Sequence, residues 1–148
     1  MAENNPIKIL ITGSSGYIGG TFIHSYSHNY EISTFSLLKQ PINNIKLDGI
    51  DVVLHCAALV HSKKKNEKKY YEINSNYTFR LAKKAKDYGV KHFVFISTIA
   101  VFSKSINKIN ENSPCSPDTP YGKSKLIAEN YLIDLSDKNF LITIIRPA

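Results

Sequence analysis

The sequence has no tryptophan, one methionine and two cysteines in 148 residues. Cys56 and Cys115 stand far apart and share no metal-ligand spacing, so two reduced thiols are expected in place of a disulfide framework. His24, His28, His55, His61 and His92 share no such spacing either, and no metal is expected. No apolar run approaches the roughly 18 residues that a membrane-spanning helix needs, so no membrane partner is expected. The first residues, Met1-Ala2-Glu3-Asn4-Asn5-Pro6, lack the basic-then-apolar layout of a secretion signal, and the expected location is cytoplasmic. Arginine is nearly missing: with only Arg80 and Arg146, lysine supplies 17 of the 19 basic side chains behind the net charge of +7. The densest basic run, Lys63-Lys64-Lys65 with Lys68-Lys69, has only Tyr70-Tyr71 beside it. That pattern reads as a solvated face or as steering for an anionic ligand, and no nucleic-acid partner is expected.

What is present is alternation. At 43% hydrophobic and 21% charged the chain has the composition of one globular domain spanning residues 1–148. Ile7 to Ile11, Glu31 to Leu37, Asp51 to Leu54, His92 to Ile96 and Phe140 to Ile145 read as strands. Helices are expected from about Gly16 to Ser27, from Asn66 to Tyr88 with Gly89 as its stop, and from Pro120 to Asp137. One face of the second helix carries Tyr71, Asn74, Thr78, Leu81, Ala82 and Ala85, and the third turns Ala128, Tyr131, Leu132 and Leu135 inward. The connection from Leu38 to Gly49 is polar, turn-rich and short for a crossover helix. Strands alternating with helices predict an α/β fold, a doubly wound parallel sheet in three layers.

The first strand runs into Thr12-Gly13-Ser14-Ser15-Gly16-Tyr17-Ile18-Gly19. The three glycines meet different needs: Gly13 the tight turn, Gly16 the approach of backbone to a pyrophosphate, and Gly19 the close packing of helix on strand. Backbone N–H groups from Ser15 through Tyr17 and Ile18 open the helix and supply an anion site. This is a Rossmann-like dinucleotide loop. The end of the second strand, Phe35-Ser36-Leu37-Leu38-Lys39, has neither the acidic residue that takes a ribose 2′-hydroxyl nor the arginine that takes a 2′-phosphate. NAD and NADP both stay open there.

Tyr121-Gly122-Lys123-Ser124-Lys125 puts a phenol and an amine one helical turn apart on one face. An ammonium beside a phenol favours phenolate, so Lys125 is expected to lower the Tyr121 pKa and make it an acid/base for an alcohol.

Together these residues resemble the extended short-chain dehydrogenase/reductase family, in its branch of NAD-dependent epimerases, dehydratases and reductases acting on nucleotide sugars. The loop Thr12–Gly19 is similar to the family's cofactor loop, and His55-Cys56-Ala57-Ala58 resembles its turn along the cofactor. Asn74 falls where the family keeps an asparagine. Phe95-Ile96-Ser97-Thr98 resembles the strand ending in the catalytic hydroxyl, and Arg146-Pro147 the pair closing a later strand. The resemblance implies Thr98, Tyr121 and Lys125 as catalytic residues. It implies Gly13, Ser15, Gly16, Tyr17, Ile18, Gly19, Ala57, Ala58, Asn74, Tyr121 and Lys125 as cofactor contacts, with NAD favoured over NADP. A nucleotide sugar, UDP-linked, is the implied substrate, and hydride transfer at a sugar carbon the implied chemistry. Thr98 is followed by Ile99-Ala100-Val101 where the 4,6-dehydratases carry an Asp-Glu pair, which sets that subclass aside. Family members run to about 300 residues, so most of the substrate-binding part is expected to be lacking, and a non-catalytic or inactive remnant is the alternative. Tyr71, Leu81, Ala85, Ala128 and Leu132 are either core stripes or the face of a homodimer.

Overall fold

The buried run after Ile7 becomes the middle of a sheet. Strand β1 (Lys8–Thr12) buries Ile9 and Ile11 on one face and Leu10 on the other, as a strand covered from both sides must. The computed structural model describes residues 5–61 and 66–148, and the lysine run at 63–65 lies outside them. Four more strands follow: β2 (Glu31–Phe35), β3 (Val52–His55), β4 (His92–Ile96) and β5 (Leu141–Ile145). All pair in parallel in the order β2-β1-β3-β4-β5. The chain leaves β1 in one direction to reach β2 and returns to the other side for β3. That reversal opens a crevice at the carboxyl ends of β1 and β3, where ligands of open parallel sheets bind.

Helix α1 (Tyr17–Tyr26) covers one face by packing Phe22 and Ile23 against Ile9, Ile11 and Leu54. The other face holds the larger core, with Phe93, Phe95 and Val53 beneath the helices Tyr77–Asp87 and Pro120–Leu135, labelled α3 and α4. Gly89, at φ +80°, ends α3; Val90 N–H reaches back to Ala85 O at 3.0 Å and Gly89 N–H to Lys86 O, so the left-handed residue satisfies the last carbonyls. Pro120 opens α4 and the Thr119 hydroxyl accepts from Gly122 N–H at 3.0 Å, a capped start with proline where its missing N–H costs nothing.

The expected three-layer doubly wound sheet is what forms; among the described residues α1 alone covers its face, which leaves Leu141 and Ile145 of β5 exposed. Other expectations change. The polar 38–49 connection sinks Ile42, Ile45 and Leu47 into the main core through a short 3₁₀ turn. Lys84 Nζ crosses from α3 to donate to Ile42 O and Asn43 O, so this connection does the covering work of a crossover helix. The long helix after residue 66 is interrupted: α2 (Glu67–Tyr70) passes through a π turn at Tyr71–Asn76 before α3. The wider turn advances the helix phase, so adjacent Asn74 and Ser75 are both buried while Tyr71 is only half-buried. Tyr131 faces outward with its ring tilted against that of Phe79, their centroids 5.2 Å apart, instead of joining Ala128 and Leu132 in the core. Leu81, Ala85, Ala128 and Leu132 are all core residues, which removes them as a dimer face.

Candidate active site

Gly13 sits at φ +76°, and a Cβ there would lie 2.5 Å from Ala57 N. A Cβ on Gly19 would lie 2.6 Å from Gly13 O. Both glycines therefore let backbone meet backbone: the loop on the turn after β3, and α1 on the loop. Gly16 is different, because its Cβ would meet only Gly13 O, at 3.3 Å. No described part of the chain needs that space, and no side chain caps α1. An open helix start with an uncovered glycine backbone suits a phosphate.

Two adjoining cavities share this loop. One, of about 290 Å³, runs from Gly13–Gly16 to Phe35–Lys39 and is floored by Ala57, Ala58 and Ile73. The other, of about 410 Å³, runs from Tyr17, Ile18 and Gly19 past Ala58 and Cys56 to Ser97, Thr98, Tyr121 and Pro147. Together they form one groove over the carboxyl ends of β2, β1, β3 and β4. It has the extended, two-ended form and small-residue floor a dinucleotide needs, and the residues present fit one. Glycine loop, Ala57, Ala58, Thr98 and Tyr121 all line it.

Asn74 does not. Its amide oxygen accepts from Leu59 N–H at 2.8 Å, and its nitrogen donates to Leu59 O at 2.9 Å and Ser124 Oγ at 3.0 Å. The side chain is buried and ties the loop after β3 to α4, so it positions the groove floor. Behind it runs a second buried chain. Thr78 Oγ1 donates to Asn74 O, so His55 Nε2 must donate to Thr78 Oγ1 at 2.8 Å, leaving Nδ1 to accept from Thr12 Oγ1 at 2.5 Å. His55 is held neutral in one tautomer; burial first, then the Lys125 charge, pushes its pKa down to about 3. This brace joins the residue before the glycine loop to the first turn of α3, and a lone histidine carries no spacing signal in the sequence.

Tyr121 and Lys125 share a face of α4 but not a depth. Tyr121 is half-buried at the groove, with its ring 6.4 Å from that of Tyr70. Burial raises its pKa, opposed by a hydrogen bond with the Thr98 side chain. Lys125 passes beneath: its Nζ donates to Ile96 O at 2.7 Å and lies 3.9 Å from the centroid of Phe95. Where the sequence predicts a tyrosine lowered by the lysine, burial raises it instead, and Lys125, engaged with a strand carbonyl and a ring face, is not among the groups that shift it. Burial in turn drops Lys125 to about 7, against the opposing pull of Glu129 and Cys56. Cys56 itself is pushed up to about 11, chiefly by burial, and stays a thiol.

Two further residues hold the site together. Gly122 packs α4 on the 3₁₀ turn at Ile99–Val101, where a Cβ would lie 2.1 Å from Ala100 O. Glu129, fully buried, accepts from the Ser97 hydroxyl and from Arg146 Nε at 3.1 Å and Nη2 at 2.6 Å. Its one sequence signal is its place four residues beyond Lys125.

A doubly wound α/β domain with a glycine loop at its switch point is a nucleotide-binding domain by geometry. Similarity to known proteins makes this specific: residues 9–148 match the NAD dependent epimerase/dehydratase family, and the chain belongs to that family. It is 32% identical to a UDP-glucose 4-epimerase of Vibrio cholerae over 96% of this chain and 51% of that protein. It is 29% identical to an N-acetyl-alpha-D-glucosaminyl-diphospho-ditrans,octacis-undecaprenol 4-epimerase of Escherichia coli O157:H7, covering 95% of this chain and 48% of the relative. Among solved structures, a dTDP-4-dehydrorhamnose reductase of Clostridium acetobutylicum superposes with a TM-score of 0.80 at 29% identity, covering 93% of this chain and 52% of that one. MoeE5 in complex with UDP-glucose and NAD superposes with a TM-score of 0.83 at 23% identity, over 94% and 53%, a likeness of fold. The chain spans about half the length of the curated relatives it matches.

Proposed function

We propose that this chain is the NAD-binding, catalytic portion of a nucleotide-sugar epimerase or reductase. The observation that carries the reading is one groove with the open glycine loop at its middle and Thr98 and Tyr121 at one end. Relatives named as UDP-glucose 4-epimerases support a UDP-linked sugar as substrate. When bound, the nicotinamide supplies hydride exchange at the sugar carbon. The chain's own residues do the rest. The N–H groups opening α1 hold the pyrophosphate, with Gly16 leaving room for it. Tyr121 moves the proton at the sugar oxygen; its raised pKa keeps it protonated at neutral pH, the form that donates. Thr98 orients that oxygen from its place beside Tyr121 on the same cavity wall. Lys125 sits ready beneath to favour the phenolate once its ammonium turns toward the groove.

The half of the relatives' length beyond this chain is where we place the sugar-gripping contacts, since remote binding supplies much of transition-state stabilisation. No helix among the described residues is long and apolar enough to cross a membrane. A cytoplasmic setting belongs to this reading, and the two free thiols suit it. A homodimer would use the outer face of α3 and α4, where Tyr77, Phe79, Arg80 and Tyr131 line a depression of about 570 Å³. Calorimetric titration with NAD⁺ and NADP⁺ tests the reading, with Tyr121→Phe as its partner experiment. NAD⁺ is expected to bind wild type and Tyr121→Phe alike, and any hydride transfer from a UDP-sugar to NAD⁺ is expected to vanish in the variant. Turnover surviving in Tyr121→Phe would sink the catalytic assignment, and binding of neither nucleotide would sink the cofactor assignment.

A further inference from the structure

The groove has an end that hydride transfer does not use. From the glycine loop, the cavity of about 290 Å³ runs away from Thr98 and Tyr121 to the turn after β2. With a pyrophosphate on the loop and the nicotinamide toward Tyr121, this end takes the adenosine half of the cofactor. Its place is fixed against the loop: Phe35 is buried in the main core and pairs in register with Thr12, the residue before Gly13. The chain then doubles back, because Lys39 N–H and Gln40 N–H both donate to Ser36 O at 3.1 Å. After that turn Lys39 lines the cavity beside Ser36 and the exposed Leu38. Lys39 is the one charged side chain among the residues lining this cavity. The single acid of β2, Glu31, stands at the far end of the strand and pairs with Lys8 at 3.6 Å. Glu72, next to Ile73 of the cavity floor, lines the depression on the outer face of the helices instead.

We propose that this end of the groove accepts a 2′-phosphorylated adenosine with Lys39 as its countercharge, so that the chain binds NADP at least as tightly as NAD. The proposal rests on the reading of the groove as a dinucleotide site. A carboxylate at the end of β2 would do two things: accept from the ribose hydroxyl of NAD and repel the 2′-phosphate of NADP. Without it, NAD loses an acceptor and NADP loses a repulsion. A phosphate monoester carries about −1.5 to −2 charges at neutral pH, and a lysine meets it as a point charge with no planar fork to align. Because Lys39 is exposed, salt screens the attraction. The net charge of +7 would draw any anion, so a local countercharge has to be told apart from the charge of the whole chain.

Calorimetric titration of the whole chain at low salt with NAD⁺ and NADP⁺ is the test, with adenosine 5′-monophosphate and adenosine 2′,5′-bisphosphate as probes of this end alone. In wild type, each 2′-phosphorylated ligand is expected to bind at least as tightly as its unphosphorylated counterpart. Lys39→Glu is expected to weaken NADP⁺ by about fivefold or more and NAD⁺ by less than about twofold, the reach of one exposed charge turned from attraction to repulsion. Lys39→Arg is expected to keep the wild-type preference. Lys46→Glu makes the same change of net charge at an exposed residue outside the cavity, and is expected to leave the ratio of the two affinities unchanged. Binding of NADP⁺ more weakly than NAD⁺ in wild type overturns the proposal. So does a Lys39→Glu variant that weakens both nucleotides alike or neither, or a Lys46→Glu variant that shifts the ratio as far. In each of those cases NAD⁺ still binds and the cofactor reading stands; binding of neither nucleotide overturns that reading and this proposal together.

Discussion

Gly122→Ala sets two effects of opposite sign against each other. As a sequence change it should help: alanine is favoured over glycine in a helix by up to about 1 kcal/mol, largely by restricting the unfolded chain. Gly122 is the third residue of α4 and its N–H is already capped by Thr119, so the backbone there suits alanine. The structure reverses the sign. The new Cβ would sit 2.1 Å from Ala100 O, 2.9 Å from Ala100 C and 3.0 Å from Pro117 Cβ, where ordinary contact begins near 3.4 Å. The closest neighbour is main chain in a 3₁₀ turn held by Thr98 Oγ1, which accepts from Ala100 N–H at 3.1 Å, so it cannot swing aside like a side chain. The first turn of α4 must lift by roughly 1 Å, an overpacking cost of about 1–3 kcal/mol. With main chain only 2.1 Å away the cost lies at the upper end of that range, so net of the helix gain about 2 kcal/mol of stability is lost, a fall in Tm of roughly 4–8 °C for a domain of this size. Because Tyr121 precedes Gly122, the same lift separates its hydroxyl from Thr98. Thermal and urea unfolding of the two proteins is the assay. A variant as stable as wild type, or more so, would refute the claim that backbone contact, and not helix propensity, selects glycine here.

Gly16→Ala is the contrasting case: with 3.3 Å to Gly13 O as its tightest contact, it should change stability by under about 1 kcal/mol. It should nonetheless weaken NAD⁺ tenfold or more by calorimetry, and unchanged affinity would argue that the open space above Gly16 takes no phosphate. Acid stability should expose His55. Its folded pKa of about 3 lies below the unfolded value of 6.5, so between those values the unfolded chain binds a proton that the folded one refuses. Stability therefore falls with pH across that window, by up to about 1.4 kcal/mol per unit from this group. The lowered carboxyls of Asp118 and Asp137 add an acid loss of the same sign in any variant. Urea titrations from pH 7 to 4 should thus show a shallower pH dependence in His55→Gln than in wild type; equal slopes would mean that His55 is not held neutral.

Period and punctuation carried the fold. Strands buried on both faces read as apolar runs, and Gly89 and Pro120 mark helix ends for reasons of φ and missing N–H that hold in any context. The misplacements come where tertiary packing outranks pattern. Ile42, Ile45 and Leu47 are spaced among asparagines and lysine, so no period betrays that they close the core. The π turn adds a residue to one helical turn, which no 3.6-residue period can register, and it is what swings Asn74 and Ser75 both toward Ser124.

The site divides the same way. Glycine spacing could be read because each glycine answers a constraint local to the loop: Gly13 takes the left-handed turn, Gly16 leaves open space for a phosphate, and Gly19 lets α1 close up, against the loop backbone itself. The tyrosine–lysine spacing established a shared helix face and nothing about depth. The Lys125 ammonium goes to the groove floor, where it meets a strand carbonyl and a phenyl face, Ile96 O and Phe95. The tyrosine–lysine spacing cannot contain those contacts, because both partners come from β4 and not from the helix that carries the pair. Depth is set by what the sheet offers beneath the helix, and a spacing within one helix carries no record of it.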